Sequence, residues 1–506
     1  MPRRPLTALL ALLLAAVPFL ATSAAPALAQ PTAVAATQTA RSVSGEPAGV
    51  LAEGTRWATP YYVVDSGKAG PMVLVTGGVH GNEPAGAAAA DQIRHWRPAK
   101  GRLLLIPRCN VPGLEADTRR MPGEPEAIAD LNRNFPRSDE ANAARGPAAE
   151  VLWAFIQKHR PDVTVDLHEG YGFRSAGSKS VGSSIIRIPH PETKRLQDAM
   201  LKAVNASDPE HAFARLHGGA DGSLARACGE RLGARAFICE TTYKDQPLTR
   251  RVRQHRIMVH ALLDALGMAA SGPDTLLPPR RDGEPVRVAL YAGTGTGPKT
   301  NVRRAIHAAE NDRIVDIGEA GVRADVLRQF DVLLVPGGSG SKQASAMTSD
   351  GREAVRDFVR RGGGYVGVCA GAYLATSHYK WSLGVLDAAV LDTKHWKRGT
   401  GKVAVELTDA GRTLLRYDRE RTDIYFANGP LLAPDGQADI PDFEPLAVFR
   451  GEVTEHGAPK GVMPGTVAVA SGRFGEGRVI VFSPHPEKTN GLEGMLLTAV
   501  RWAAGQ

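Results

Sequence analysis

Short runs of aliphatic and β-branched residues recur along this chain, each followed within a few positions by glycine, proline or a polar cluster and then by a helical pattern. This alternation constrains the fold more than any other feature, because strand and helix in turn build α/β sheets covered by helices. The first four runs are 72–76, 103–106, 163–167 and 236–239, and the second four are 286–291, 332–335, 365–368 and 479–482. Between them lies 271–285, with four prolines, two glycines and no apolar period, which reads as a linker. The chain therefore divides into an ordered block over 46–270 and a second over 286–506. Ligands of open α/β sheets gather beyond the carboxyl ends of strands, so chemistry is expected just after each run.

The amino terminus has its own logic. Arg3 and Arg4 precede an apolar run from Leu6 to Leu20, and Ala27-Leu28-Ala29 supplies a small-x-small cleavage site. Residues 1–29 read as a secretory signal peptide and 30–45 as a flexible Ala/Thr/Ser-rich leader, giving a secreted or periplasmic protein. The arginine pair fits a twin-arginine signal or an ordinary basic n-region, and both export routes stay open. Pro18 interrupts the apolar stretch, and no other segment is long and apolar enough to span a bilayer, so no stable membrane insertion is expected after cleavage.

Lys and Arg number 61 against 53 Asp and Glu, without a basic run or basic-aromatic interleaving, which argues against a nucleic-acid partner. Four cysteines in a chain of 506 residues do not make a disulfide scaffold. Cys109, Cys228 and Cys239 read as small buried hydrophobes, with a Cys228–Cys239 bridge as an alternative. Only Cys369 stands in a context that suggests chemistry.

In the first block, Gly77-Gly-Val-His80-Gly-Asn-Glu83-Pro84 follows the first run and Asp166-Leu-His168-Glu169-Gly170 follows the third. Two imidazoles and one carboxylate that leave a coordination position open form a catalytic zinc arrangement. Asp130-Leu-Asn132-Arg133-Asn-Phe-Pro136 lies between them, and Glu240 ends a later run. With these motifs in this order, 54–266 resembles the zinc carboxypeptidase superfamily, including its succinylglutamate desuccinylase/aspartoacylase-like and murein peptide amidase-like branches. The resemblance implies one zinc ion on His80, Glu83 and His168, with Glu240 as general base or acid. It also implies that Asn132 and Arg133 hold a substrate carboxylate, and that Arg119, or else Arg120, polarises the scissile carbonyl. Larger carboxypeptidases carry a tyrosine before the catalytic glutamate, but no tyrosine lies between Tyr171 and Tyr243 here, which favours a smaller deacylase or amidase pocket. Asp166 and Glu169 flank a ligand as candidate supporting partners.

In the second block, Gly367-Val-Cys369-Ala-Gly371 puts a cysteine on a glycine-bracketed strand-to-helix turn, which suits a nucleophile elbow. Val335-Pro-Gly337-Gly338 offers backbone N–H groups, and His485-Pro-Glu487 offers a base and its orienting carboxylate. This half resembles class I glutamine amidotransferase-like domains, most closely the biotin-protein ligase N-terminal-like branch. A Cys369, His485, Glu487 triad is implied, although Tyr373 stands where glutamine-hydrolysing members have Gln. Gly293 to Thr300 is glycine-rich but lacks the pattern of a phosphate-binding loop. His378, Trp381, His395 and Trp396 mark an insertion that packs locally or rims a substrate.

The expected fold class is α/β in two domains: a zinc-carboxypeptidase-like mixed sheet with helices on both faces, then a flavodoxin-like or class I amidotransferase-like parallel sheet. The expected function is an exported zinc-dependent metallohydrolase that cleaves an amide bond near a free carboxylate in a short peptide, a murein cell-wall peptide being the class suggested by compartment. The second domain has an amide-hydrolysing or a binding role. The alternatives are a zinc-dependent deacylase of N-acyl amino acids and a non-catalytic envelope binding protein.

Overall fold

A computed structural model describes residues 47–506 apart from 140, 176, 178, 282 and 308–313. The signal and leader segments, 1–29 and 30–45, lie outside the described residues. Two sheets organise the rest.

The first sheet has eight strands, in the spatial order Gly49–Leu51, Thr59–Asp65, Arg102–Ile106, Met72–Gly77, Val163–Gly170, Arg235–Thr242, Ser184–Arg187 and Ala214–His217. The four expected runs are its four central strands, all mutually parallel. They read as continuous apolar runs because both of their faces are covered. Val73, Val75, Leu103 and Val165 point into one core with the helices Pro84–Ile93, Thr193–Ser207 and Leu248–Ala265. Leu74, Leu104 and Ile106 point into the opposite core with Pro147–His159 and Leu224–Leu232.

The second sheet is parallel through Ile314–Ile317, Val288–Tyr291, Val332–Val335, Gly364–Val368 and Gly477–Phe482. It then continues beyond the expected parallel unit as an antiparallel extension through Val467–Phe474, Glu444–Phe449, Thr400–Leu407 and Arg421–Ala427. Its two cores again take alternate residues: Leu290 and Leu334 on one side, Tyr291 and Leu333 on the other.

Within the linker at 271–285, the stretch 274–277 packs as a strap. Leu276 and Leu277 are buried in a core of the second sheet, the Leu276 N–H donates to Gln329 Oε1 at 2.9 Å, and both carboxylate oxygens of Asp274 receive Arg253 at 2.8–2.9 Å.

One close approach sets the geometry of the first sheet's carboxyl edge. Gly86, in the helix Pro84–Ile93, lies so near the Leu167 carbonyl that a Cβ there would overlap it, and a Cβ on Gly77 would press on the Gly86 backbone. Backbone cannot yield as a flexible side chain does. Gly86→Ala is therefore expected to cost about 1–3 kcal/mol of stability, read by denaturant unfolding.

Candidate functional site

The strand Met72–Gly77 ends in a turn at Gly78, whose φ of 64° suits glycine, and delivers His80 to the cavity wall. Glu83 stands at the head of the helix Pro84–Ile93, and His168 lies near the end of Val163–Gly170. All three are buried. His80 Nδ1 and His168 Nδ1 each lie 2.8 Å from a different oxygen of Glu83, and one candidate donor atom from each residue falls within 4.8 Å of the others.

The far edge of each imidazole is also held. His80 Nε2 is 3.2 Å from Asp130 Oδ1, and His168 Nε2 is 2.8 Å from Asp166 Oδ2. Thr76 Oγ1 donates to Asp166 Oδ1 at 2.7 Å. Both rings are thus oriented with Nδ1 towards the shared centre, the arrangement by which an outer carboxylate fixes a metal-binding histidine.

The charges call for a cation. Burial alone would raise the Glu83 carboxyl, but the charges and hydrogen bonds of His80 and His168 hold it well below the usual carboxylate range. Burial would lower His168, but Asp166 and Glu83 push it well above the ordinary imidazole value. Asp130 is held down to about 2, against its partial burial, by His80, Arg119 and Arg133. Two imidazoles, one bridging carboxylate and two outer carboxylates fit a divalent metal by donor chemistry as well as by position.

Glu240 pairs in register with His168 on the neighbouring strand. Burial pushes its carboxyl up to about 8, with Glu83 and Asp166 adding to the rise and His168 opposing it. His80, Glu83, His168, Glu240, Arg119, Asn132 and Arg133 all line one cavity of about 580 Å³.

The structure separates the two arginine candidates. Arg119 Nη1 donates to Glu83 Oε1 at 3.0 Å, whereas Arg120 pairs with the exposed Glu126 outside the cavity. Both ends of the Asn132 amide are engaged by protein: Nδ2 lies 3.3 Å from His168 Nε2, and Oδ1 accepts from the Leu224 N–H at 2.9 Å. Of the two flanking carboxylates, Asp166 supports His168, while Glu169 accepts the Ala85 N–H at 2.8 Å and pairs with Arg251.

Sequence reasoning missed Asp130, although it opens the same motif as Asn132. It also missed Lys179 and the two tyrosines that bound the empty interval: Tyr171 and Tyr243 both line the cavity, with their rings edge to face at 5.3 Å.

The second constellation lies on the second sheet. Cys369 follows the strand Gly364–Val368 and starts the helix Ala370–Ala375 with φ 51° and ψ −97°. Such a conformation costs a non-glycine residue about 1–3 kcal/mol and persists only where the surroundings enforce it. The Cys369 N–H donates to the Phe482 carbonyl at 2.7 Å, and a Cβ on Gly371 would overlap the Val335 carbonyl. His485 Nδ1 is 2.7 Å from Glu487 Oε1. The Pro-Gly-Gly loop lies alongside: a Cβ on Gly337 would stand 3.0 Å from His485 Cε1 and 3.7 Å from Cys369 Cβ. The glycine-rich turn after Tyr291 braces this loop, with the Gly297 N–H donating to the Gly337 carbonyl at 2.8 Å and the Ser339 N–H to Gly295 at 2.8 Å. Tyr373 is engaged locally through its hydroxyl, 3.3 Å from the Asn428 carbonyl. In the insertion, Tyr379 and Trp381 stack at 4.6 Å.

All four cysteines are free thiols, so the alternative Cys228–Cys239 bridge is absent. Burial pushes the Cys228 thiol up to about 12.

Residues 69–266 match the family model described as the succinylglutamate desuccinylase/aspartoacylase catalytic domain, and residues 287–496 match the model described as biotin-protein ligase, N terminal. The N-alpha-acetyl-L-2,4-diaminobutyric acid deacetylase of Halomonas elongata is 32% identical over 114 residues, covering 22% of this chain and 32% of that protein. The chain thus spans about a third of that relative's length. Among solved structures, product-bound cell shape determinant protein Csd4 of Helicobacter pylori aligns at 20% identity over 43% of this chain and 58% of its own, with a TM-score of 0.37. The succinylglutamate desuccinylase/aspartoacylase of Rhodobacter sphaeroides aligns at 24% identity over 43% and 62%, with a TM-score of 0.31.

Two outcomes follow from the geometry. Asp130→Asn is expected to weaken divalent-metal binding about 10–100-fold, measured by chelator competition. In the second site, burial would lower His485, but its hydrogen bonds to Cys369 and Glu487 prevail and raise it from 6.5 to about 9. The folded state therefore holds this proton more tightly than the unfolded chain. That stabilisation is complete below about pH 6.5 and is lost as pH rises through 9. Stability is expected to fall across this window by up to about 3 kcal/mol more in the unaltered protein than in His485→Asn, read by thermal unfolding at a series of pH values.

Proposed function

From a chain that joins a succinylglutamate desuccinylase/aspartoacylase-type catalytic domain to a biotin-protein ligase N-terminal-type domain, we propose an exported zinc-dependent hydrolase that cleaves an amide bond near a free carboxylate. The observation that carries this reading is the convergence of His80, Glu83 and His168 in one cavity with Glu240, Arg119 and Arg133. The substrate class is a short peptide, with a murein peptide favoured by the amino-terminal export signal, and N-acyl amino acids are the competing class.

His80, Glu83 and His168 would hold the ion. When bound, zinc supplies Lewis acidity that polarises an amide carbonyl and lets water lose a proton near neutral pH. The protein's own groups do the rest. Glu240, a buried carboxylate at the strand end beside His168, takes a proton from the attacking water and returns one to the departing amine. Arg133 binds the substrate carboxylate through a planar pair of donors, a geometry lysine does not offer. Arg119 places a second guanidinium where negative charge develops on the scissile carbonyl. Asn132, with both ends of its amide engaged, holds His168 and the segment at Leu224 in place.

For the second domain we favour catalysis over binding alone. The enforced positive φ of Cys369 is a strain that a recognition surface does not require, and it presents the thiol beside His485 and the Gly337-Gly338 backbone. Cys369 would attack an acyl carbon, His485 would take the thiol proton and pass it to the leaving amine, and Glu487 would orient the imidazole.

Metal analysis of the purified protein is expected to give one zinc per chain, and its absence would sink the first assignment. Glu240→Gln should lower kcat on the true substrate by at least about a hundredfold, within the range general acid–base groups supply, with zinc retained. Parallel assays on muropeptides and on acyl-amino acids decide between the substrate classes. Cys369→Ala, assayed separately, should leave the zinc-dependent activity intact while abolishing any amide hydrolysis that survives chelation.

A further inference from the structure

The helix Pro84–Ile93 begins without a side-chain cap of its own. Glu83 occupies the N-cap position, but its carboxylate faces the two imidazoles and makes no cap bond. Pro84 has no N–H, so Ala85 carries the first orphan donor of the helix. That donor is met from the strand Val163–Gly170: the Ala85 N–H donates to Glu169 Oε2 at 2.8 Å. The exchange is reciprocal, because the Glu169 N–H donates to Glu83 Oε2 at 3.1 Å. Two segments far apart in the chain thus trade bonds as the two ends of a capping box do within one helix. Glu83 Oε2 is also the oxygen that lies 2.8 Å from His168 Nδ1, so the exchange helps to orient the carboxylate shared by both imidazoles.

A third element holds this exchange in place. Arg251, largely buried on the helix Leu248–Ala265, donates from Nη1 to Glu169 Oε1, and the Glu169 side chain is fully buried. Each Glu169 oxygen therefore has its own donor, Arg251 on one and Ala85 on the other, and the carboxylate cannot rotate without losing one of them. A buried carboxylate beside the Glu83 charge also needs a cation against it. The neighbouring Arg250 does none of this: it pairs with Asp208, and neither residue lines the metal-site cavity.

We propose that Arg251 is a positioning residue for the metal site, acting through Glu169 to fix Glu83 and the head of its helix. The inference rests on the reading of His80, Glu83 and His168 as metal ligands. It makes a prediction of definite sign. A fixed positive charge near a cation site opposes metal binding, so if Arg251 acted by charge alone, its removal would tighten the metal. A positioning role requires the opposite.

The test uses the full chain, with zinc affinity measured by chelator competition and the stability of the metal-free protein by thermal unfolding. Arg251→Met is expected to weaken zinc binding about 10–100-fold, the range found when the outer partners of metal ligands are removed. Arg251→Lys, which can still donate to Glu169, should recover most of that loss. Arg250→Met removes an ion pair from the same helix, so it should lower Tm while leaving zinc affinity within about twofold of the unaltered protein. Should Arg251→Met fail to fold, Arg251→Met combined with Glu169→Leu leaves no unpaired buried charge and no change in net charge. That double variant should still weaken zinc at least tenfold, because the Ala85 N–H loses its acceptor. Unchanged or tighter zinc binding in the Arg251 variants overturns the proposal and leaves the metal site standing. Equal weakening in Arg250→Met also overturns it, by assigning the effect to the helix as a whole. Failure of the unaltered protein to bind zinc overturns the metal site itself, and the positioning role with it.

Discussion

Glu83 lies between two imidazoles, and the first half of the molecule is arranged around keeping it there. The three residues come from a turn, a helix head and a strand end, so their spacing depends on how closely those elements meet. Glycines bring the elements together: Gly86 lets the helix lie on the Leu167 carbonyl, and Gly81 lets the His80 turn lie on the Gly113 backbone. Behind the imidazoles stand Asp130 and Asp166, the latter held in turn by Thr76. So many carboxylates in a buried place would repel one another and destabilise the fold unless cations balance them. The raised proton affinity of His168 and the Arg119 guanidinium serve that purpose, and a divalent ion would serve it as well.

The second half meets a comparable demand with strain in place of charge. Cys369 cannot relax from its positive φ because the strand before it pairs on both sides and the helix after it packs through Gly371 on the Val335 carbonyl. The loop facing the thiol is supported from behind by the turn at Gly295 and Gly297. The glycine-rich stretch that resembles a phosphate-binding sequence is therefore a brace, which explains its glycines without a ligand: a Cβ on Gly338 would collide with Gly295.

How much of this was legible in the sequence follows from burial. The eight expected runs are central strands of the two sheets, where both faces are covered and the residues are continuously apolar. The strands that escaped notice flank the central ones towards the ends of the two sheets or lie in the antiparallel extension. Thr59–Asp65 and Thr400–Leu407 alternate between buried and part-exposed positions, and Ala214–His217 has no fully buried residue, so none stands out as a run. The site divides in the same way. Residues recognisable by type and spacing, such as His80, Glu83 and Cys369, were readable. Asp130 was not, because its role depends on the far side of an imidazole fifty positions away. Arg119 and Arg120 are equivalent as letters, and only the path of the chain sends one inward and the other to Glu126.

Each constellation is complete within its own half of the chain. His80, Glu83, His168 and Glu240 all come from the first sheet's carboxyl edge, and Cys369, His485 and Glu487 all come from the second. Neither half lends the other a residue for chemistry, so the fusion is not needed to assemble either site. What joins them is support: the strap that buries Leu276 and Leu277 in the second core while Asp274 holds Arg253, and the helix Leu248–Ala265, whose Arg251 reaches Glu169 and whose Thr249 packs on Gly318. A helix that touches the metal-site shell at one face and the second sheet at another transmits displacement through rigid packing. Any functional dependence between the two sites would therefore run through this helix and strap, and would appear as altered positioning of Glu240 and its neighbours.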